Sequence, residues 1–250
     1  MKTTMSTQSS TLVFAHRGAS HDAPENTLAA YAVGWEQQAD GLELDIHLTA
    51  DGQIVVMHDA DTKRTTSVAG KISAQTFEEL RKLDVGAWKG ATWTGQRIPT
   101  LDEALASVPA GKQVIIEIKC DSEIIPALKD FIEKSGKPAD ELLIHCFTFE
   151  TICAARQAIP HVRACWLVNP DRDTDLLPLL EKARAAGLDA LNPDVNSRID
   201  EALVTRAHAN NMGIFVWTVN DPDAARRLKS LGVDGILTDR PGWMRVQLLK

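Results

Sequence analysis

The sequence contains few cysteines, no long apolar run and no excess of positive charge, and each of these absences excludes a class of protein. Its four cysteines form no C-x-x-C pair and lie inside apolar runs, which predicts that Cys120, Cys146, Cys153 and Cys165 are buried free thiols. No stretch approaches the roughly 18 apolar residues of a membrane span, and residues 1–11 lack the apolar region of a signal peptide. We therefore expect no membrane insertion and a cytoplasmic location.

The overall charge argues against nucleic acid or an anionic membrane as a partner. With a net charge of −7 and an isoelectric point near 5.5, the chain has no global positive field to attract either of them. An anionic substrate would therefore need a local positive site. The 250 residues are 44% hydrophobic and 24% charged, which is typical of a globular protein and excludes disorder and fibrous repeats.

The order of apolar runs predicts one domain of the α/β class. Residues 1–11 are expected to form a loose tail, with Met1 or Met5 as the start, and residues 12–250 a single domain. Strand-like runs alternate with helix-like runs over the whole domain. The strands are predicted at 12–16, 41–45, 114–119, 142–147, 162–168, 189–193, 214–219 and 234–238. Eight such units predict a TIM (β/α)₈ barrel.

Short local signals mark the ends of the predicted helices. The spacing of Thr100 and Glu103 predicts a capping box at the start of a helix, and three glycines are expected near helix ends. These are Gly187, Gly213 and Gly232. Residues 24–27, Pro-Glu-Asn-Thr, open the first helix and are interpreted as structural, with Asn26 or Thr27 capping its free amides.

The second predicted strand continues into a hairpin that interrupts the simple alternation. A turn at Asp51-Gly52 between two β-rich runs is a strong hairpin signal. If those two residues form the loop, antiparallel register brings Asp45 opposite His58. Residues 60–99 then contain one short helix near 76–83, and are predicted to be an insertion after the second strand, beside the mouth of the barrel.

Charged residues occur where a buried parallel strand should be apolar. Glu43 and Asp45 alternate with leucines, and Glu117 and Lys119 alternate with isoleucines, so these charges point to one face. Three carboxylates near the ends of adjacent strands would bind a hard divalent ion, Mg²⁺ or Ca²⁺. The alternative is that these acids form internal ion pairs with Arg17 or Lys119.

Two histidines and two cations are predicted at the same end of the barrel. His16 and Arg17 follow the first strand, and His58 lies in the returning arm of the hairpin. Two imidazoles can act as a general acid and a general base on opposite sides of a reacting centre. Arg17 and Lys119 can each hold a phosphate oxygen, and Trp217 is either an apolar wall for a small substrate or part of the core. The other histidines stay unassigned: His21, His47, His145, His161 and His208.

Six motifs together resemble the glycerophosphodiester phosphodiesterase family. They are H-R-G at 16–18, P-E-N-T at 24–27, E-L-D at 43–45, H-D at 58–59, E-I-K at 117–119 and T-D-R-P at 238–241. The resemblance implies a TIM barrel with an insertion after the second strand, and hydrolysis of deacylated phospholipids to glycerol 3-phosphate and an alcohol. The chain is similar to the cytosolic bacterial members of the family rather than to the periplasmic or membrane-bound ones.

The resemblance also implies a role for each candidate residue. His16 and His58 look like the acid/base pair, Arg17 and Lys119 like phosphate contacts, and Glu43, Asp45 and Glu117 like the metal ligands. The attacking oxygen, the order of the two histidines and the preferred headgroup stay open. The alternatives are a lysophospholipase D-type enzyme, a non-catalytic barrel that binds glycerophosphodiesters, and a structural barrel with paired charges. The sequence makes no prediction about the oligomeric state.

Overall fold

A computed structural model describes residues 11–249, and its centre is a closed barrel of eight parallel strands. The first strand pairs with both the second and the last, which closes the sheet. The strands are β1 (Leu12–His16), β2 (Gly41–Leu48), β4 (Gln113–Ile118), β5 (Leu142–Cys146), β6 (Arg163–Val168), β7 (Ala190–Pro193), β8 (Gly213–Val216) and β9 (Gly235–Thr238), with β3 (Ile54–Val56) antiparallel to β2. The predicted TIM barrel is confirmed.

Helices surround the barrel and follow its strands. They are α1 (Leu28–Glu36), α2 (Lys63–Thr66), α3 (Phe77–Arg81), α4 (Leu101–Ala106), α5 (Ile125–Ser135), α6 (Phe149–Ala158), α7 (Leu177–Ala185), α8 (Glu201–Ala209), α9 (Pro222–Leu231) and α10 (Pro241–Leu248). Single 3₁₀ turns occur at Ile72–Ala74, Ala91–Trp93, Ser122–Ile124 and Ala139–Glu141. No helix within residues 11–249 is long and apolar enough to cross a membrane.

Most of the predicted helix-end signals are confirmed. The Thr100 hydroxyl accepts a hydrogen bond from the Glu103 amide at 3.2 Å, and the Glu103 carboxylate accepts one from the Thr100 amide at 2.9 Å. Gly187 and Gly232 follow α7 and α9 with positive φ. The prediction for Gly213 is wrong because it begins β8, and Asn211 takes the left-handed position after α8 instead.

The barrel interior has an apolar layer below a polar one. On β4 the inward side chain of Ile115 belongs to a core cluster with Leu143 of β5. Two residues further along each strand, the inward positions are Glu117 and His145. Polar side chains therefore occupy the C-terminal mouth of the barrel, which is the end where such barrels place their sites.

The cysteine prediction is only half right. All four thiols are free, and Cys146 and Cys165 are buried. Cys120 and Cys153 are half-exposed because the first lies in the loop after β4 and the second on the outer helix α6.

The hairpin forms, but its predicted register is wrong by one residue. His47 pairs with Val55, and the Met57 amide donates to the Asp45 carbonyl at 2.9 Å, so Met57 rather than His58 lies opposite Asp45. The loop has three residues, 50–52, and Gly52 closes it with φ +78°. A three-residue loop with a left-handed last position is a standard hairpin connection, and it moves the register by one.

The residues between β3 and α4 pack around a small apolar cluster of their own. It contains Val55, Met57, Ile72, Leu80, Val85 and Ile98. The short helix predicted near 76–83 is α3, whereas α2 was not predicted. Of the predicted tail, residues 1–10 lie outside the described residues, and the Thr11 hydroxyl donates to the Val233 carbonyl at 2.9 Å. Residue 11 is thus fixed to the base of the barrel.

Candidate active site

His16 is the last residue of β1, and its ring is held by the carboxylate of a residue far away in the sequence. His16 Nδ1 lies 2.7 Å from Asp239 Oδ1, just beyond β9. Asp239 also accepts hydrogen bonds from Ser20 Oγ at 3.0 Å and Asn220 Nδ2 at 2.6 Å. Burial lowers the pKa of His16, but the hydrogen bond to Asp239 and the charge of Glu43 together raise it above its ordinary value. With Nδ1 engaged, Nε2 is the ring nitrogen left for chemistry.

His58 is held in the same way from the opposite side. Its Nδ1 lies 2.7 Å from Asp59 Oδ1, and its Nε2 lies 3.2 Å from Lys119 Nζ. Asp59 accepts a hydrogen bond from Arg64 Nε at 2.6 Å, and chiefly for this reason its pKa falls to about 2. Asp59 is therefore ionised at neutral pH and acts as a fixed hydrogen-bond acceptor for the His58 ring.

A chain of ion pairs connects the His58 side of the site to Arg17. Arg64, on α2, donates to both carboxylate oxygens of Glu25 at 2.8 Å each. The same Glu25 carboxylate accepts from Arg17 Nη1 at 3.1 Å. Bidentate arginine–carboxylate pairs fix geometry more firmly than single hydrogen bonds. One acid from the segment before α1 and one arginine from α2 thus orient two candidate site residues.

Asp45 lies fully buried behind the pocket. Its Oδ2 accepts a hydrogen bond from Asn26 Nδ2 at 2.7 Å and lies 3.3 Å from Arg17 Nε, whereas Oδ1 has no hydrogen-bond partner in the described part of the chain. Burial raises the pKa of Asp45, but the charges of Arg17 and Lys119 help to lower it below its usual value. The predicted capping role belongs to Thr27, whose hydroxyl accepts from the Ala30 amide at 3.2 Å, so Asn26 is free to orient Asp45.

Glu43, Glu117 and His145 bring their polar atoms together in the mouth of the barrel. One ligand atom of each residue lies within 4.8 Å of the others. Atoms that bind a single ion at distances of 2.0–2.6 Å must lie about this close together. Among residues 11–249, Glu43 Oε1 has no hydrogen-bond partner. Burial, reinforced by the charge of Asp45, raises the pKa of Glu117 to about 7. Lys119 Nζ donates to Glu117 Oε1 at 2.8 Å and so offsets part of the negative charge, whereas the unpartnered oxygen of Glu43 and the oxygen-rich donor set fit a divalent cation.

Aromatic side chains form the remaining wall of the pocket. The rings of Phe147 and Trp217 meet edge to face, with centroids 5.3 Å apart and planes at 82°. Lys119 Nζ lies 5.7 Å from the Phe147 ring. Seven of the eight residues predicted from the sequence line this pocket, and Asp45 supports it from behind. These seven are His16, Arg17, Glu43, His58, Glu117, Lys119 and Trp217.

Comparison with known proteins connects this arrangement to one enzyme family. Residues 16–243 match the glycerophosphoryl diester phosphodiesterase family. The chain belongs to this family. It is 35% identical over 241 residues to a glycerophosphodiester phosphodiesterase of Caldanaerobacter subterraneus, covering 92% of this chain and 95% of the relative. It is 33% identical over 237 residues to the Bacillus subtilis protein YhdW, covering 93% and 96%.

A solved structure shows the same likeness in three dimensions. A phosphodiesterase of Oleispira antarctica, solved in complex with its product sn-glycerol 3-phosphate, superimposes with a TM-score of 0.86. It is 28% identical to the chain and matches 96% of this chain and 97% of its own. This phosphodiesterase thus shares its fold with the Oleispira antarctica enzyme and covers nearly the full length of that enzyme and of the two relatives.

Several side chains that shape the site of this phosphodiesterase were not predicted as functional residues, and Asp59 of the H-D motif is one of them. Asp239 and Glu25 lie inside the T-D-R-P and P-E-N-T motifs, and an acid directly after a strand was a signal for the first of them. His145 alternates with apolar neighbours on β5, as Glu117 does on β4, so the same inward-face argument would have found it. For Arg64 the sequence offers no local signal.

Proposed function

We propose that this phosphodiesterase hydrolyses glycerophosphodiesters, such as glycerophosphocholine and glycerophosphoethanolamine, to glycerol 3-phosphate and an alcohol. The observation that carries the proposal is the pair of imidazoles His16 and His58. Each has Nδ1 on a carboxylate, and both line one pocket together with Arg17 and Lys119. The product found in the Oleispira antarctica relative, sn-glycerol 3-phosphate, supports the same substrate class.

In the proposed mechanism, Arg17 and Lys119 hold non-bridging oxygens of the phosphodiester. One imidazole removes the proton of the attacking oxygen, which belongs to water or to the 2-hydroxyl of the glycerol. Attack by the 2-hydroxyl forms a cyclic phosphate, which water then opens to glycerol 3-phosphate in a second displacement. The new phosphorus–oxygen bond forms as the bond to the alcohol oxygen breaks, and the other imidazole protonates that oxygen. The proton is needed because an alkoxide is a poor leaving group near neutral pH.

We propose further that Glu43, Asp45 and Glu117 hold a divalent ion, Mg²⁺ or Ca²⁺. The unpartnered oxygens Glu43 Oε1 and Asp45 Oδ1 support this assignment, since buried acceptors without donors are costly. When bound, the ion would add positive charge where the phosphate oxygens become more negative. Asn26 and the Arg17 amide orient two of these carboxylates, with the amide donating to Glu43 Oε2 at 3.0 Å.

The size of the pocket fits a small substrate. Its empty volume is about 270 Å³, and this includes space that is open to solvent. A glycerophosphate group fits such a space better than a lysophospholipid with its acyl chain.

Purified protein assayed with glycerophosphocholine, with and without a divalent metal, tests the proposal. We expect glycerol 3-phosphate and choline in equal amounts, and faster turnover of this substrate than of lysophosphatidylcholine. Faster cleavage of the lysophospholipid would favour the lysophospholipase D alternative. Binding of glycerophosphocholine without any turnover, at every metal tried, would indicate a non-catalytic barrel.

A further inference from the structure

The buried histidine on β5 has no task in the proposed reaction, although it lies among the carboxylates. His145 Nε2 is 3.7 Å from Glu43 Oε1 and 3.7 Å from Glu117 Oε2. The side chain is 1% exposed, and Nε2 has no hydrogen-bond partner among the described residues. A buried polar atom of this kind needs a partner, and Nε2 lies equally close to both acids without a hydrogen bond to either of them.

We propose that His145 Nε2 is a nitrogen ligand of the divalent ion, added to the carboxylates of the proposed metal site. The inference rests on the proposed function only in assuming that an ion binds there. A purely carboxylate site suits Ca²⁺ and Mg²⁺, whereas an imidazole adds affinity for later first-row transition ions. The site therefore binds Co²⁺ more tightly than Ca²⁺.

Asn192 on β7 sets which nitrogen of His145 is available. Its amide nitrogen lies 3.3 Å from His145 Nδ1, and its Oδ1 has no partner within residues 11–249. In this orientation the amide donates to Nδ1, so the ring hydrogen is on Nε2 and faces the acids. A half-turn of the amide would place Oδ1 against Nδ1, which then carries the hydrogen and leaves the Nε2 lone pair for a metal.

This exchange needs no net release of a proton by the imidazole. The ring is neutral in both tautomers, and one hydrogen moves from Nε2 to Nδ1 through solvent. Asn192 can thus form a hydrogen bond with Nδ1 of His145 in both tautomers, because its amide group carries both a donor and an acceptor. Partners of this kind fix the tautomer of metal-binding histidines in general.

The direct test is pulsed electron paramagnetic resonance of metal-free protein loaded with one equivalent of Mn²⁺. We expect nitrogen modulation from one imidazole in the unmodified protein, and loss of that modulation in His145→Gln. His16→Asn is the matched control, because His16 Nε2 is 3.9 Å from Glu43 Oε2 and is the competing nitrogen. The modulation should persist in this control.

Titration calorimetry gives a second readout that does not depend on turnover. Replacing the oriented ligand should lower the Co²⁺ affinity by about 10–100-fold in both His145→Gln and Asn192→Leu. The Ca²⁺ affinity should change by less than about threefold, since the carboxylates that suit Ca²⁺ remain.

Three outcomes overturn the inference: bound Mn²⁺ without nitrogen modulation in the unmodified protein, modulation that survives in His145→Gln, or equal losses of Co²⁺ and Ca²⁺ affinity. The first needs no variant, so a folding defect cannot obscure it. Hydrolysis of glycerophosphocholine is measured in the same samples. Turnover without nitrogen modulation contradicts His145 as a metal ligand and leaves the proposed function standing. Nitrogen modulation without turnover supports His145 as a ligand and contradicts the proposed function.

Discussion

At the scale of single residues, the site is organised around two imidazoles whose Nδ1 atoms are already engaged. Asp239 holds His16 and Asp59 holds His58, both at 2.7 Å. A carboxylate in this position orients the ring and leaves Nε2 as the nitrogen available to a substrate. Each imidazole can therefore gain or lose a proton at Nε2 without changing its position in the pocket.

Replacing either histidine by alanine should lower turnover and leave the protein folded. We expect kcat for glycerophosphocholine to fall by about 10²–10⁴-fold, which is the usual contribution of one general acid or base. The control is His208→Ala, since His208 pairs with Asp234 at 3.1 Å at the opposite end of the barrel. A variant of His16 or His58 that keeps more than about a tenth of the turnover would remove that residue from the catalytic pair.

Two glycines with nearly equal φ angles should respond very differently to replacement by alanine. Gly18 has φ +83°, and a Cβ there would lie 2.6 Å from Ala30 Cβ and 2.8 Å from the Ala30 carbonyl oxygen. Gly52 has φ +78°, but a Cβ would meet nothing within 4 Å in the described part of the chain. Gly52→Ala should therefore lower the free energy of unfolding by about 1–2 kcal/mol, which is the cost of holding alanine in a left-handed backbone conformation.

Gly18→Ala should cost clearly more, because α1 must also move away from the end of β1. Urea unfolding of both variants measures the free energies, and kcat shows whether the shift reaches His16. Equal losses of unfolding free energy in the two variants would contradict the close packing of Gly18 against α1.

At the scale of secondary-structure elements, the short helix α2 fastens the segment after β3 to the site. Arg64 binds Glu25 through two hydrogen bonds and Asp59 through two more. In Arg64→Ala, Asp59 and Glu25 both lose this partner, so His58 and Arg17 are held less firmly. We expect kcat to fall by about 10²-fold, as when a reacting group is displaced by about 1 Å.

Two neighbouring variants separate this role from a general effect on folding. Arg64→Lys keeps the charge but not the bidentate geometry, and should recover part of the turnover. Lys63→Ala alters an exposed residue of the same helix and should keep all of it. If Arg64→Ala raises KM and leaves kcat unchanged, the arginine serves substrate binding and not the position of His58.

The same ion pair predicts how stability depends on pH. The pKa of Asp59 is lowered from 3.8 to about 2, mainly by the hydrogen bond from Arg64. As the pH falls, Asp59 is therefore protonated in the unfolded chain before it is protonated in the folded protein. The ion pair with Arg64 stabilises the folded state above pH 3.8, and this stabilisation is lost as the pH falls towards 2.

Urea unfolding of the unmodified protein and of Arg64→Ala measures this effect. The difference between their free energies of unfolding should be constant between about pH 5 and 6, and should shrink between about pH 4 and 3. A difference that stays constant down to the lowest pH would show that the pKa of Asp59 is not lowered.

The sequence predicts the barrel and the chemistry of its mouth for a simple physical reason. Apolar runs alternate with helical ones, and charges such as Glu43 and Glu117 break the apolar pattern on inward positions. The hairpin register could not be derived, because loops of two and three residues are both compatible with the Asp51-Gly52 pair.

Partners that meet only when the barrel closes could not be derived either. His16 and Asp239 are 223 residues apart in the chain, and Arg64 and Glu25 are 39 apart. Their contacts depend on where β9 returns beside β1 and on how the segment after β3 folds back, and neither is a local property of the chain.

At the scale of the whole molecule, the two ends of the barrel have different tasks. At the N-terminal end, an aspartate directly before a strand accepts a hydrogen bond from a backbone amide of the adjacent strand. The pairs are Asp40 with Val13 at 3.0 Å, Asp189 with Ala164 at 2.9 Å and Asp234 with Ile214 at 2.7 Å. At the C-terminal mouth, by contrast, two buried carboxylate oxygens, Glu43 Oε1 and Asp45 Oδ1, have no donor among residues 11–249, so this end favours a cation at the expense of stability.

Metal ions should therefore stabilise the whole molecule. An ion that binds only the folded state at about 100 times its Kd adds about 2.7 kcal/mol, because it shifts the folding equilibrium by mass action. For a chain of this length that corresponds to a rise of about 5–10 °C in Tm. Differential scanning calorimetry of chelated protein with added Mg²⁺, Ca²⁺ or Mn²⁺ measures the rise, and the same additions should restore activity lost in EDTA.

Charge-neutral variants locate this stabilisation at the mouth of the barrel. Asp45→Asn keeps the size of the side chain and removes one buried negative charge, so it should fold and yet lose most of the metal-dependent rise in Tm. Glu201→Gln, on the exposed first turn of α8, should respond to metal like the unmodified protein. Full activity in excess chelator, with no metal in elemental analysis and no change in Tm, would contradict the metal site. In that case the buried acids would be neutralised by Arg17 and Lys119, which lie 3.3 Å and 3.8 Å from Asp45, and the two histidines would act without an ion.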